Sequence, residues 1–250
     1  MEVIGRGFLA GNFQRIADRH PDVTLIAAGV SATGVENPAE FARESELVRS
    51  VTERCRLQGR TVVFFSTASH AMYGTTRVPA EEDAPIAPAN PYGRHKAALE
   101  EAVAALSRHW LTLRLSHVVG PHQRPHQLIP ALTAQVGAGS VRLYRGAHRD
   151  LVDVADVLGA VDALLTAGVR DRVVNVAAGT PYPVEEIVRG IERRLGRTAA
   201  REYVPAVAQR TEVSVERLRL LAPDACPRGG AGYLDGLLDR HVGAARCGVP

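Results

Sequence analysis

Lysine is nearly absent from this chain. Lys96 is the only one, and the other 29 of the 30 basic residues are arginine. Aromatic side chains are also sparse, at 5%, and acids and bases are interspersed along the sequence. Without a basic stripe interleaved with stacking rings, the net charge of +3 and the isoelectric point near 9.0 do not point to nucleic acid; anionic small molecules remain as partners. No apolar run reaches the roughly 18 residues of a membrane-crossing helix, and the N-terminus carries neither the basic region nor the long apolar stretch of a signal peptide. Cys55, Cys226 and Cys247 are odd in number and lack metal-like spacing, which argues against a disulfide framework and for a reduced, cytoplasmic setting. Repeats and low-complexity stretches are missing as well.

What is present is ordinary globular material, 46% hydrophobic and 23% charged over 250 residues, enough for one large or two small domains. The stretch Pro91-Tyr92-Gly93-Arg94-His95-Lys96 places the single lysine four residues after a tyrosine, so on a helix the two side chains share a face. A phenol titrates near ~10 in water and an adjacent ammonium favours the phenolate, which would let Tyr92 exchange a proton with an alcohol or carbonyl oxygen near neutral pH. Arginine would serve poorly there, being planar and unable to release its proton. The same spacing also arises by accident on solvated helix faces; the scarcity of lysine elsewhere gives it weight.

Met1 to Ile4 is a short apolar run entering Gly5-Arg6-Gly7-Phe8-Leu9-Ala10-Gly11, after which Phe13, Ile16 and Ala17 recur at helical spacing. Strand, glycine turn and helix follow one another. Gly5, Gly7 and Ala10 fit the fingerprint G-x-G-x-x-G/A, in which glycines let the backbone approach a pyrophosphate and the helix N-terminus stabilises its charge. Asp22 to Gly29 reads as the next strand, Pro38 to Cys55 as a helix with Phe41, Leu47, Val48 and Val51 apolar, and Thr61 to Phe65 as a buried parallel strand. Ser66-Thr67-Ala68-Ser69 then lies at a strand's carboxyl end, where doubly wound sheets place ligands. A Pro-punctuated acidic loop, Pro79 to Pro91, leads into the Tyr92 helix, which runs through Leu99, Val103 and Leu106. Trp110 to Leu115 is a strand ending at Ser116-His117-Val118-Val119-Gly120-Pro121; a helix around Leu128 to Val136 and a strand at Val141 to Tyr144 come next. Arg149 to Asp156 starts a helix reaching Ala167, with Asp153 as N-cap, before a strand at Val173 to Val176 and a helix at Val184 to Leu195. From Gly196 onward the pattern is shorter and looser, suited to a small substrate-covering lobe.

With these stretches in order, the chain resembles the extended short-chain dehydrogenase/reductases, the family of sugar-nucleotide epimerases, dehydratases and reductases. The resemblance is carried by Gly5 to Gly11, Ala27-Ala28, Phe65-Ser66-Thr67 before Tyr73-Gly74, Pro91-Tyr92-Gly93, Gly120-Pro121, Arg149-Asp150 with Asp153 and Asp156, and Asn175-Val176-Ala177, and it covers most of the sequence. It implies an α/β fold with a doubly wound, Rossmann-like parallel sheet that lacks two strands after the first βα unit. It also implies an NAD(P)-binding domain over 1–177 and a small substrate lobe over 178–250, with contributions from 117–150. Tyr92 would be the acid/base, Lys96 would lower its pKa and hold the nicotinamide ribose, and Thr67 or Ser69 would hydrogen-bond the reacting oxygen. Counting from the strand favours Thr67; counting back four from Tyr73 favours Ser69. The family pattern assigns the cofactor to Gly5, Arg6, Gly7, Phe8, Leu9, Ala10, Ala27, Ala28, Gly29, Ser66, Tyr92, Lys96, His117 and Val119. It assigns the substrate to Ser69, His70, His117 and Arg149.

Three departures bear on function. The two missing strands include the one whose terminal acid binds the adenosine ribose, so the adenine half of the site is open or supplied differently. Arg6 inside the turn suits a 2′-phosphate, a lean to NADP over NAD, or else is a solvated side chain. The acidic pair that the family's sugar 4,6-dehydratases carry after the Thr for water elimination is replaced by Ala68 and Ser69, which disfavours dehydration. His117 stands where the family often has an asparagine near the substrate's phosphates. His122 and His126 are four apart, but Pro125 lies between them and no carboxylate accompanies them, so no metal is expected. Asp150, Asp153 and Asp156 read as helix-start capping with an Arg149 contact. The expectation is an NAD(P)-dependent ketoreductase acting on a sugar or sugar nucleotide, because a weakened adenosine pocket favours exchange of the cofactor at each turnover. The alternatives are an NAD-dependent sugar-nucleotide epimerase, which must retain its cofactor, and a non-catalytic dinucleotide sensor or degenerate scaffold. The helices at Tyr92 and at Pro38 to Cys55 are the family's usual dimer surface; Ala97, Ala98, Ala102 and Ala105 permit close packing, so a homodimer is expected.

Overall fold

Short apolar strands alternating with helices build the first two-thirds of the chain in the computed structural model, which describes residues 1–31, 34, 37–205 and 209–242. This part runs β1 (Glu2–Ile4), α1 (Phe8–Phe13), β2 (Val23–Ile26), α2 (Pro38–Gln58), β3 (Thr61–Thr67), α3 (His70–Tyr73), α4 (Pro91–Leu106), β4 (His109–Leu115) and β5 (His117–Val119). The remainder runs α5 (Leu128–Ala138), β6 (Ser140–Tyr144), β7 (His148–Asp153), α6 (Val154–Thr166), β8 (Arg172–Val176), β9 (Pro181–Pro183), α7 (Val184–Leu195), β10 (Ala200–Val204), α8 (Glu216–Leu221) and α9 (Ala231–Val242).

The main sheet is parallel throughout, in the order β1-β2-β3-β4-β8. Successive side chains point to opposite faces, and both faces are buried, which is why these strands read as continuous apolar runs. Leu25, Val63, Phe65, Leu111, Leu113, Val174 and Val176 pack on one face with Phe13 of α1 and with Val157, Val161 and Leu164 of α6. Ile26, Val62 and Phe64 pack on the other with Val48, Val51 and Cys55 of α2 and with Leu99 and Val103 of α4.

This division has a topological consequence. The strands β1, β2, β3 and β4 step across the sheet in one direction, yet α1 covers one face while α2 and α4 cover the other. Parallel crossovers that step the same way with helices on opposite faces have opposite hands. With the α2 and α4 crossovers in the right-handed sense that such units almost always adopt, the β1-α1-β2 unit is left-handed. The connections leaving β1 and β2 therefore turn to opposite faces and open a crevice at the carboxyl ends of these strands, the place where doubly wound sheets take ligands. Strand β1 is left at the sheet's border.

A second core lies beyond this sheet. Ile129 and Leu132 of α5, Leu151 of β7, Ile187 and Ile191 of α7, and Leu237 of α9 are buried together. Over them lie the small sheets β5-β7-β9 and β10-β6. The chain's last third is shared between the two cores, since α8 packs against β8 and buries Leu218 in the main one.

Residues 149–153 differ from the sequence expectation. They form a strand rather than the first turn of a helix, because β7 pairs with β5 on one side and with β9 on the other. These partners are distant in sequence and leave no local period. Asp153 does cap α6, accepting the Ala155 N–H at 2.9 Å, but Asp150 caps nothing; its carboxylate accepts the N–H groups of Ala178 at 3.0 Å and Thr180 at 2.9 Å. Cys55 and Cys226 are free thiols and Cys247 lies outside the described residues. No helix among the described residues is long and apolar enough to cross a membrane.

Candidate functional site

The carboxyl end of β3 turns at once into α3, and the turn organises two hydroxyls. Thr67 donates to Ser69 Oγ at 2.8 Å, the Ser69 N–H donates to Thr67 Oγ1 at 3.2 Å, and Ser69 Oγ caps α3 by accepting the Ala71 N–H at 3.3 Å. Ser69 faces a pocket, while Thr67 stands behind it. The Ser66 hydroxyl, buried on the same strand end, has no hydrogen-bond partner among the described residues.

Helix α4 begins at Pro91, with the Asn90 side chain accepting the Gly93 N–H at 2.9 Å. It lies directly on α3, and buried Tyr92 packs with Val30, Ala71 and Phe41. Lys96 is on the same face, 5% exposed, its Nζ 5.8 Å from the centroid of the Tyr92 ring and 5.2 Å from that of Phe64. The pairing expected from the i,i+4 spacing is thus formed, but with a third member. Lys96 Nζ donates to Glu44 Oε1 at 2.7 Å, and Glu44 Oε2 accepts from the Val30 N–H at 3.0 Å and pairs with His95 Nε2 at 3.0 Å. The carboxylate occupies the space over Gly29, where a Cβ would fall 2.1 Å from Oε1. Burial pushes the Tyr92 phenol above its ordinary value; Lys96 pulls it down and Glu44 pushes it up. The structure thus raises the phenol where the sequence leads to the expectation of a lowered one, because burial and Glu44 outweigh Lys96.

Ser69, His70, His117 and Arg149 line one pocket, together with His148, Asp150, Asn90 and Gln209. The Arg149 guanidinium donates to the His148 carbonyl at 2.7 Å and to Gln209 Oε1 at 3.3 Å, and among the described residues it has no acidic partner. Burial holds its pKa below the usual value. His117 is pushed down to about 3, first by burial and then by Arg149, and burial lowers His70 as well. Asp150 is pushed up to about 6 by burial, against the hydrogen bonds that it accepts. The pocket sets the imidazoles of His70 and His117, both held towards the neutral form, beside the Arg149 cation and the Asp150 carboxyl. Burying such a cation is costly, and a phosphate or carboxylate would relieve the cost.

At the crevice, Gly5 packs against the end of β2, where a Cβ would fall 2.6 Å from the Ala27 carbonyl oxygen. Gly7 is open by contrast; a Cβ there would meet only Arg124 Nη2, at 3.8 Å. Arg6 and Gly29 are exposed and Ala27 and Ala28 half-buried along the crevice, whereas Phe8, Ala10 and Val119 are buried and Leu9 packs on the main core. The glycine-turn backbone and the Ser66 hydroxyl fit a dinucleotide, and so does the Lys96 ammonium, which has three N–H donors and gives one to Glu44.

Glu44, Arg124 and Gln209 escaped the sequence reading, whereas His148 reads there as a loop histidine that either lines a substrate cleft or is simply exposed. For Glu44 a signal existed: it falls in register with Val48, Val51 and Cys55, the stripe that α2 buries.

The model of the NAD dependent epimerase/dehydratase family matches residues 10–177. A dTDP-glucose 4,6-dehydratase of Streptomyces niveus is 28% identical over 170 residues, covering 65% of this chain and 51% of that protein. The chain spans about half the length of the curated relatives it matches. Among solved structures, the UDP-glucose 4-epimerase of Thermus thermophilus in complex with NAD superposes with a TM-score of 0.76 at 25% identity, over 97% of this chain and 83% of that one. RMD from Pseudomonas aeruginosa complexed with NADPH gives 0.78 at 21% identity, over 97% of both chains.

Proposed function

The chain belongs to the NAD dependent epimerase/dehydratase family, and on that footing we propose that it is a nicotinamide-dependent reductase of a ketone carried by a sugar nucleotide. The observation that carries this reading is Arg149, a half-buried cation without an acidic partner among the described residues, in the pocket that also presents Ser69. A diphosphate would compensate its charge, and His70 and His117, both held towards the neutral imidazole, would hydrogen-bond sugar hydroxyls without adding charge. Two of the similar proteins named above act on dTDP-glucose or UDP-glucose, which have this chemistry.

The cofactor would lie against Gly5 and Gly7, with Ser66 and Lys96 offering polar contacts. The similar structures carry NAD or NADPH. Exposed Arg6, and Arg124 over the glycine turn, favour the form with the extra phosphate. When bound, the nicotinamide supplies hydride. The chain's own residues supply the rest: Ser69, held by Thr67, orients the carbonyl oxygen, and Tyr92 gives it a proton. A phenol held protonated suits donation. Dehydration is disfavoured because Ala68 and Ser69 replace the acidic pair that water elimination would use.

Two copies of this chain are proposed to meet through α2 and α4, where Ala98 and Ala105 lie exposed on α4; light scattering at micromolar concentration would then return twice the chain mass.

The functional reading is tested by titrating the protein with NADPH and NADH and then following nicotinamide absorbance as keto sugar nucleotides are added. Oxidation of the reduced cofactor with formation of a hydroxyl sugar is expected. Interconversion of two sugars without net oxidation would replace the reading with an epimerase, and binding of neither cofactor would end it.

A further inference from the structure

A buried carboxylate beside the only lysine calls for a role. Glu44 reaches from α2 into the space between Gly29 and α4, and its side chain is 1% exposed. Three groups hold it there, namely Lys96 Nζ, His95 Nε2 and the Val30 N–H. His95 is fixed in turn against the Phe41 ring, at 4.5 Å between centroids. Tyr92 also packs with the apolar Val30, Ala71 and Phe41. The charged groups that act on the phenol are Lys96, on its own helix, and Glu44, from the helix opposite, with His95 beside the carboxylate.

A cation and an anion 2.7 Å apart have opposite effects on a third group nearby, and in a dry site these effects largely cancel. Lys96 alone would make Tyr92 a stronger acid; the pair makes it close to an ordinary buried phenol. The contact also fixes the ammonium in place and leaves two of its N–H donors for a ribose.

We propose that Glu44 is a positioning residue for the Tyr92–Lys96 pair, anchoring the ammonium and, by neutralising it, keeping the phenol in the proton-donating form that a reductase requires. This rests on the reading of Tyr92 as the proton donor.

The single lysine makes the test direct. With 15N-lysine labelling, one Nζ resonance reports on Lys96; its ammonium protons should be visible at pH 7 because the buried carboxylate slows their exchange, and should vanish in Glu44→Gln. With 13Cζ-tyrosine, and Tyr92 assigned through Tyr92→Phe, Glu44→Gln should lower the Tyr92 titration midpoint by about one pH unit or more, roughly tenfold in acidity. Glu44→Asp should restore it. Thermal melts check that each variant is folded. An unchanged or raised Tyr92 midpoint in folded Glu44→Gln overturns the proposal. Should that variant not fold, the unsubstituted protein decides, since an ammonium exchanging like that of free lysine overturns it equally. Neither measurement needs cofactor or turnover, so failure to bind NADH or NADPH would sink the proposed function and leave this result standing.

Discussion

A Cβ placed on Gly93 would lie 1.8 Å from the carbonyl oxygen of Ala71. The backbones of α3 and α4 touch at that point, one residue from Tyr92 and two from Ser69. Glycine between a tyrosine and an arginine at a helix start is thus a packing requirement. Gly93→Ala is expected to destabilise the fold by about 3 kcal/mol, since backbone cannot yield as a side-chain tip can. Urea melts would read this as a lower midpoint at unchanged slope.

Tyr92→Phe removes one oxygen from a buried ring and leaves its packing with Val30 and Phe41 intact. Loss of the proton donor is expected to lower kcat for ketone reduction roughly a hundredfold to ten-thousandfold. The Kd for NADPH, measured by nicotinamide fluorescence, should change less than about threefold, because the phenol's packing does not depend on its hydroxyl.

Arg149→Met should separate stability from function. Removing a half-buried cation that lacks an acidic partner among the described residues raises the melting temperature of the protein without substrate, while KM for a sugar nucleotide rises roughly tenfold to a hundredfold, the value of a hydrogen bond to a charged group. Parallel thermal melts and steady-state kinetics check both halves. A fall in melting temperature would show that the guanidinium is a structural brace.

His117 makes a pH prediction. Its value in the folded chain, about 3, lies below the ordinary 6.5, so the unfolded chain takes up this proton first. The resulting contribution to stability is complete above pH 6.5 and is lost as pH falls towards 3. Asp150, pushed up to about 6, acts in the opposite sense: its folded form gains a proton first, and stability rises as pH falls from 6 to 3.8. Replacing His117 with Gln should therefore leave a chain whose stability no longer drops below pH 6.5 on this account, measured by chemical denaturation at intervals from pH 7 to pH 4.

Much of this arrangement is legible in the residues themselves. The runs at Val62 to Phe65 and Leu111 to Leu115, the Asp153 cap, and the shared face of Tyr92 and Lys96 follow from local periods and capping chemistry. What stayed hidden depends on remote partners. Nothing within Arg149 to Asp153 announces that β5 and β9 will flank it, and a helix period yields to such pairing without local trace. Glu44 sits among many charges on α2, and only the burial of its stripe tells it from its solvated neighbours. Arg114 is similar. It lies within an apolar strand, paired with Glu100 at 2.7 Å and accepted by the Tyr73 hydroxyl at 2.8 Å, and so buries a polar network that no spacing rule reveals.

Among the described residues, strand β1 hydrogen-bonds to a neighbouring strand on one flank alone. That open flank is a seam. A strand-helix-strand segment spliced in before Val23 would find a row of unused peptide groups to extend along, and the α1 contacts with α6 would need no rearrangement. If the proposed cofactor binding holds, an adenosine pocket could then be grafted by insertion, and any gain in NADPH affinity would report what the inserted strands supply.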